Sequence, residues 1–355
     1  MVAISPEMPL AGDRNRQGRR LAVLLALALA VTVLVSLGWG ASGTSLVRAL
    51  SDMLAGRELA VQDRVVLLDI RLPRILMGAL VGASLAVSGA VMQGLFRNPL
   101  ADPGIVGVGA GAGLGAILAI VLGGLLPPAL AGLFGWYLVP VAAFFGGWLT
   151  TLALYRIATR QGRTSVATML LAGIALAAIL SAVAGLLILR ASDTQLRDLT
   201  FWGLGSLAGA NWPKLAAAAP IMLLALLYAP SLARGLNALA LGEAAAGHVG
   251  IRVQRVKNRA VLTVAAATGA AVAVSGGIAF VGIVVPHLLR LASGPDHRWL
   301  LVNSGLLGAV VLLLADMASR TAIAPAELPI GIVTAMLGGP FFLWILLRNR
   351  GVLDL

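Results

Sequence analysis

The sequence predicts an all-α, polytopic membrane protein of ten transmembrane helices. Three observations carry that reading. Hydrophobic residues make up 59% of the 355 positions and charged residues only 11%, whereas a soluble domain carries about 25% charged residues. Apolar segments recur along the chain at lengths suited to crossing a bilayer, which takes roughly 20 helical residues. Those segments are unbroken, without the period-2 alternation over about ten residues that a membrane β-barrel requires. The 43 glycines add small surfaces through which helices approach closely in lipid.

The first apolar run, Leu21 to Leu37, follows Arg14, Arg16, Arg19 and Arg20. A secretory signal has that charge order, but the run is long enough to span. Gly38-Trp39-Gly40 supplies an interfacial Trp and no Ala-x-Ala site. It is read as the first spanning helix, after a cytoplasmic N-terminal segment 1–20. Further segments fall at about 74–95, 104–126, 137–155, 166–189, 214–230, 260–279, 280–291, 301–319 and 329–347. The stretch 280–291 is too short to cross, so a half-length helix is expected there. Such a break is tolerated only where it is buried in protein or lines a water-filled cavity. All ten segments form one transmembrane domain, 21–347, followed by a cytoplasmic tail, 348–355.

Ten segments put both termini on one side. Most of the 26 lysines and arginines then fall in the loops assigned inside, Arg156, Arg160, Arg163, Arg234, Arg252, Arg255, Arg259 and Arg350 among them, which matches the positive-inside rule. The net charge of +12 suits inner loops and anionic lipid headgroups rather than nucleic acid. With no cysteine, disulfides and thiolate metal sites are excluded. His248, His287 and His297 show no i, i+4 pairing, so no metal site is expected. The only lysines, Lys214 and Lys257, follow Pro213 and Val256. The Gly-Lys-Ser/Thr of a phosphate-binding loop is therefore missing. Any ATP and magnesium would sit on a separate chain, and no catalytic residue or cofactor is expected here.

Four stretches stand out. The outer loop from Trp39 to Arg74 holds Arg48, Arg57, Arg64, Arg71 and Arg74 beside Asp52, Glu58, Asp63 and Asp69. It reads either as a solvated, internally paired loop or as a docking face for an acidic partner. Asn98-Pro99-Leu100-Ala101-Asp102-Pro103-Gly104 is a tight inner turn, with two prolines ending helices and Asn98 and Asp102 available as caps. In the following glycine-rich run, Gly111 to Ala116 fits G-x-G-x-x-A, but no strand surrounds it, and close helix packing is the better reading. The longest inner loop, 231–259, contains Gly242-Glu243-Ala244-Ala245 and then Gly247 and Gly250. Glu243 suits the positive end of a short helix. That helix lies either on lipid headgroups or in a cleft of a cytoplasmic ATPase. Asp316, the acid well inside an apolar run, is a functional candidate by default, but Arg320 one turn on offers a local ion pair.

Taken together and in order, Arg71-Leu72-Pro73-Arg74, Ser88 to Pro103, Gly242-Glu243-Ala244-Ala245, Phe280 to His287 and Ala326-Glu327-Leu328-Pro329-Ile330-Gly331 resemble the permease subunits of bacterial ATP-driven importers for ferric siderophores, haem and vitamin B12. The resemblance runs from about residue 64 to the C-terminus. It implies the vitamin B12-importer permease fold, a homodimer around a translocation path, two copies of a cytoplasmic ATPase, and a periplasmic haem- or siderophore-binding protein, all at the inner membrane. It assigns Arg71, Arg74 and Arg320 to docking with glutamates of the binding protein. It assigns Gly242, Glu243, Ala244, Ala245 and Gly250 to ATPase coupling. Inner-gate residues of relatives correspond to the stretch near Ser165 to Thr168, whose residue types differ. Haem is favoured over a siderophore, with vitamin B12 as the alternative. The rival class is an ion-coupled secondary transporter, which needs ionisable residues at mid-membrane, and few are present.

Overall fold

The computed structural model describes residues 11–40, 51–52, 55–57, 60–127, 132, 134–160 and 163–348. Expectations for residues 1–10, for Arg48 and Glu58, and for the tail after residue 348, Arg350 included, lie outside the described residues. The chain is nearly all helical. Its long helices are α1 (Ala11–Gly38), α2 (Val61–Phe96), α3 (Val108–Leu122), α4 (Leu138–Ala158), α5 (Val166–Ile188), α7 (Trp212–Ala240), α9 (Val253–Ser275) and α11 (His297–Thr321). Two shorter apolar helices complete the ten expected segments: α10 (Val281–Ser293) and α12 (Ile330–Arg348). Two helices are too short or too polar to cross: α6 (Asp193–Gly203) and α8 (Glu243–His248). A two-residue hairpin, β1 (Thr159–Arg160) with β2 (Arg163–Thr164), joins α4 to α5.

The small residues position these helices. A Cβ on Gly82 would lie 2.3 Å from the Gly308 carbonyl, and one on Gly308 2.4 Å from the Gly82 carbonyl. The backbones of α2 and α11 therefore touch, as small-residue packing in lipid allows. Gly111 and Gly115 of the glycine-rich run meet the carbonyls of Gly146 and Ala142 in α4 in the same way, which decides that run in favour of helix packing. α2 is the central helix, with 83% of its apolar window buried in the subunit, against 11% for α1 and for α5.

Two boundaries differ from the sequence reading. Asp63, Arg64, Asp69 and Arg71 sit on an outward extension of α2 rather than in a loop. Pro73 has no N–H to give a helix interior. The turn before it is π-wound over Val65–Arg71, with the Leu72 N–H reaching the Leu67 carbonyl five residues back. The inner loop 231–259 is likewise mostly helix: its ends belong to α7 and α9, leaving α8 between short links.

The half-length helix is present. At ~1.5 Å per residue, the 13 residues of α10 cover far less than the ~30 Å hydrocarbon core. The break before it is satisfied from α6 and the turn that follows. Ser206 N–H donates to the Ser275 carbonyl (2.7 Å), and Gly277 N–H to Trp202 (3.4 Å). Gly331 N–H of α12 donates to Leu204 (3.1 Å). Gly276 holds φ +70°, and a Cβ there would lie 2.0 Å from the Trp202 carbonyl. Irregular backbone at membrane depth thus finds partners inside the protein.

Candidate functional site

The chain builds three candidate sites: an arginine–carboxylate cluster at one end of the helices, the α8 segment at the other, and a cavity beside the break between α9 and α10.

The structure brings Arg71, Arg74 and Arg320 together from distant parts of the sequence, and all three turn into the protein. Arg74 is 6% exposed and Arg71 4%. Arg74 Nε and Nη2 reach Asp316 Oδ1 at 3.0 and 2.9 Å. Its Nη1 and Nη2 also make a bidentate pair with Glu327 at 3.0 and 2.9 Å. Arg320 Nε lies 3.1 Å from Asp316 Oδ2, and its Nη2 donates to Ser36 Oγ at 2.9 Å. Arg71 Nη1 donates to the Leu37 carbonyl at 2.6 Å. The cluster therefore ties the end of α1 to α2, α11 and the link to α12. Asp316 takes the local pair with Arg320 and the long-range pair with Arg74 at once. Three guanidiniums face two carboxylates, and Glu327, at 39% side-chain exposure, is the carboxylate that solvent or a partner reaches. Farther out, Arg57 and Asp52 form an exposed pair at 3.8 Å, as the solvated-loop reading anticipates.

At the opposite end, Gly242 adopts φ +103° and starts α8, and Gly250 at φ +80° ends its turn. Ala246 is buried, whereas Ala244 and Gly250 are exposed and Ala245 is half-buried. Leu241 and Val249 flank the segment at 76% and 62% exposure, a small apolar edge suited to a protein cleft. The Glu243 carboxylate is not free: Lys257 Nζ of α9 donates to its Oε1 at 2.7 Å. The same Nζ donates to the Thr164 carbonyl of β2 at 2.9 Å. Ser165 caps α5 by accepting from the Thr168 N–H at 3.2 Å.

The cavity of about 380 Å³ is lined by Asp102, Trp202, Thr268, Gly277, Ile278 and Ala279 among others. Asp102 Oδ1 accepts from the Gly104 N–H at 2.7 Å and starts a 3₁₀ turn, as its expected capping role requires. Burial raises its carboxyl above the ordinary range, against that N–H, which lowers it.

The FecCD transport family profile matches residues 28–348. The chain belongs to the FecCD transport family. Similar FecCD relatives include the hemin transport system permease protein of Yersinia pestis, 47% identical over 80% of this chain and 83% of that protein. The vitamin B12 import system permease protein of Klebsiella pneumoniae is 41% identical over 97% of this chain and 98% of that one. The cobalamin import system permease protein of Halobacterium salinarum is 44% identical over 81% and 75%. A solved chain described as an inward-facing metal-chelate type ABC transporter superposes with a TM-score of 0.81 at 32% identity, covering 93% of this chain and 99% of that one. The protein is thus an ABC importer permease of the FecCD family, embedded in a membrane.

Sequence reasoning missed Lys257 as a structural partner of Glu243. It also missed Glu327 as a partner of Arg74, 253 positions away. Neither pair has a local signature. α6 did have one: Ser192 and Gln195 form a capping box, and Ser-x-x-Gln is its written form.

Proposed function

We propose that the chain is the membrane-spanning subunit of an ATP-driven importer that carries a metal chelate, haem in the first place, across the bacterial inner membrane into the cytoplasm. It works as a homodimer on two copies of a cytoplasmic ATPase and receives its substrate from a periplasmic binding protein. The observation that carries this is the superposition on the metal-chelate type transporter over nearly the full length of both chains. Cytoplasmic termini are supported by Arg14, Arg16, Arg19 and Arg20 at the start of the first of ten segments.

In this reading α8, with Leu241 and Val249, seats in the ATPase, and closure of the ATPase dimer on ATP moves it. The binding protein docks at the arginine cluster. Because Arg74 is already gripped by two carboxylates, an incoming glutamate reaches it by exchanging with Glu327, the exposed one of the pair. Charge complementarity then sets orientation and on-rate.

Vitamin B12 is the second reading, favoured by relatives of that kind that align over 97% of the chain. ATPase stimulation separates the two. The reconstituted complex is presented with binding protein loaded with haem or with cyanocobalamin. Stimulation by haem alone supports the first reading, and stimulation by cyanocobalamin alone replaces it with the second.

A further inference from the structure

Lys257 is 3% exposed, and its ammonium has three N–H donors and no acceptor. Its two protein partners come from different places: Glu243 Oε1 on α8 at 2.7 Å, and the Thr164 carbonyl in the hairpin that leads into α5 at 2.9 Å. The same face of α9 holds the hairpin once more, and the end of α4 beside it. Gln254 Nε2, one turn earlier, donates to Thr164 Oγ1 at 2.8 Å. Asn258 accepts from Tyr155 Oη near the end of α4. Thr159 and Thr164, facing each other across the hairpin, share a 2.9 Å hydroxyl contact.

We propose that Lys257 is the positioning residue that makes α8 and the β1–β2 hairpin move as one body, so that a displacement of α8 is delivered to the start of α5. A buried cation keeps its partners, because leaving it unpaired is costly. α8 therefore cannot shift away from the hairpin without breaking one of the two bonds to the one Nζ. The hairpin hands the motion on through Ser165, which caps α5. α5 is free to respond, since it buries little of itself and exposes Leu171 and Ile174 at 70% each. The inference rests on the importer reading, in which α8 is the segment an ATPase moves.

The test is hydrogen-exchange mass spectrometry on the permease reconstituted with its ATPase, without nucleotide and with ATP plus vanadate. One peptide covers α8 and another covers the hairpin and the start of α5. In the wild type, nucleotide should change exchange in both. In Lys257→Met, which keeps length but removes charge and donors, the α8 response should persist and the hairpin response should vanish. Haem transported per ATP should fall about tenfold or more, within the ordinary range of coupling between sites. Lys257→Arg should restore part of both. If Lys257→Met does not assemble, Glu243→Ala takes its place, removing the acceptor from a half-exposed side chain, and the same separation of the two peptides is expected. A hairpin response to nucleotide that survives in these variants overturns the tie. A wild type in which α8 itself does not respond overturns the importer reading, and the tie with it.

Discussion

Arg74 and Asp316 stand 242 positions apart in sequence, yet two guanidinium nitrogens of the one reach a single carboxylate oxygen of the other at 2.9 and 3.0 Å. Asp316 is 1% exposed. The pair anchors the α1-proximal ends of α2 and α11, the two helices that touch through Gly82 and Gly308. Removing the sole partner of a buried charge costs about 3–5 kcal/mol, but after Arg74→Ala Asp316 keeps Arg320 at 3.1 Å. Arg74→Ala should therefore lower thermal stability of the detergent-solubilised protein by less than that. Asp316→Leu, which takes a carboxylate from both Arg74 and Arg320, should cost more than Arg74→Ala. An Arg74→Ala protein that melts like the wild type would show that the pair is not structural.

Glu327 tests the exchange idea. Glu327→Gln should cost little stability, since partly exposed pairs contribute about 0–1 kcal/mol. By freeing one edge of Arg74 it should tighten docking of the binding protein, and the effect should shrink as salt rises. Unchanged affinity in low salt counts against exchange at this cluster. Arg71→Glu with Arg74→Glu should abolish docking, but with a loss of folded protein as well. The sequence reading placed Arg71 and Arg74 in an outer loop, whereas both are buried in a cluster.

At the other end, Glu243→Arg sets a second cation against Lys257 and against the positive start of α8, where a negative charge contributes about 0.3–1 kcal/mol. ATPase association or the transport-to-hydrolysis ratio should fall, while binding-protein docking stays as it was. Wild-type stimulation and transport in this variant would remove Glu243 from the coupling role.

Glycine packing gives a paired test. Gly82→Ala presses a methyl group onto the Gly308 carbonyl at 2.3 Å, and overpacking of this kind costs about 1–3 kcal/mol. Gly185→Ala in α5 meets nothing within 4 Å and should be neutral or stabilising, by up to about 1 kcal/mol of helix propensity. Both are read by thermal unfolding in the same detergent. Equal effects would show that glycine contacts do not set the α2–α11 distance.

The ten segments were legible because length and apolarity are local properties, and lipid demands both. The half-length α10 was legible for the same reason, through the short run 280–291. Helix ends were less so. Val65 to Arg71 mixes acid and base and reads as a loop, and only the π-wound turn around Pro73 reveals it as helix. Arg71, Arg74, Arg320 and Glu243 were singled out by resemblance, and of their partners spacing gave only Asp316, one turn from Arg320. Glu327, Ser36 and Lys257 meet them through tertiary packing, for which sequence spacing carries no signal. Burial followed from those partners, and it changes Arg74 from an open contact to a residue that must exchange one carboxylate for another.

The central claim is that this chain moves substrate only when a separate ATPase drives it. Proteoliposomes containing the chain alone, or the chain with its ATPase and haem-loaded binding protein, are supplied with ATP inside or outside, with and without a proton or sodium gradient. Haem should accumulate only in the full assembly and only with ATP on the ATPase side, and the chain alone should hydrolyse none. Gradient-driven uptake by the chain alone, or ATP turnover by the purified chain, would contradict the claim.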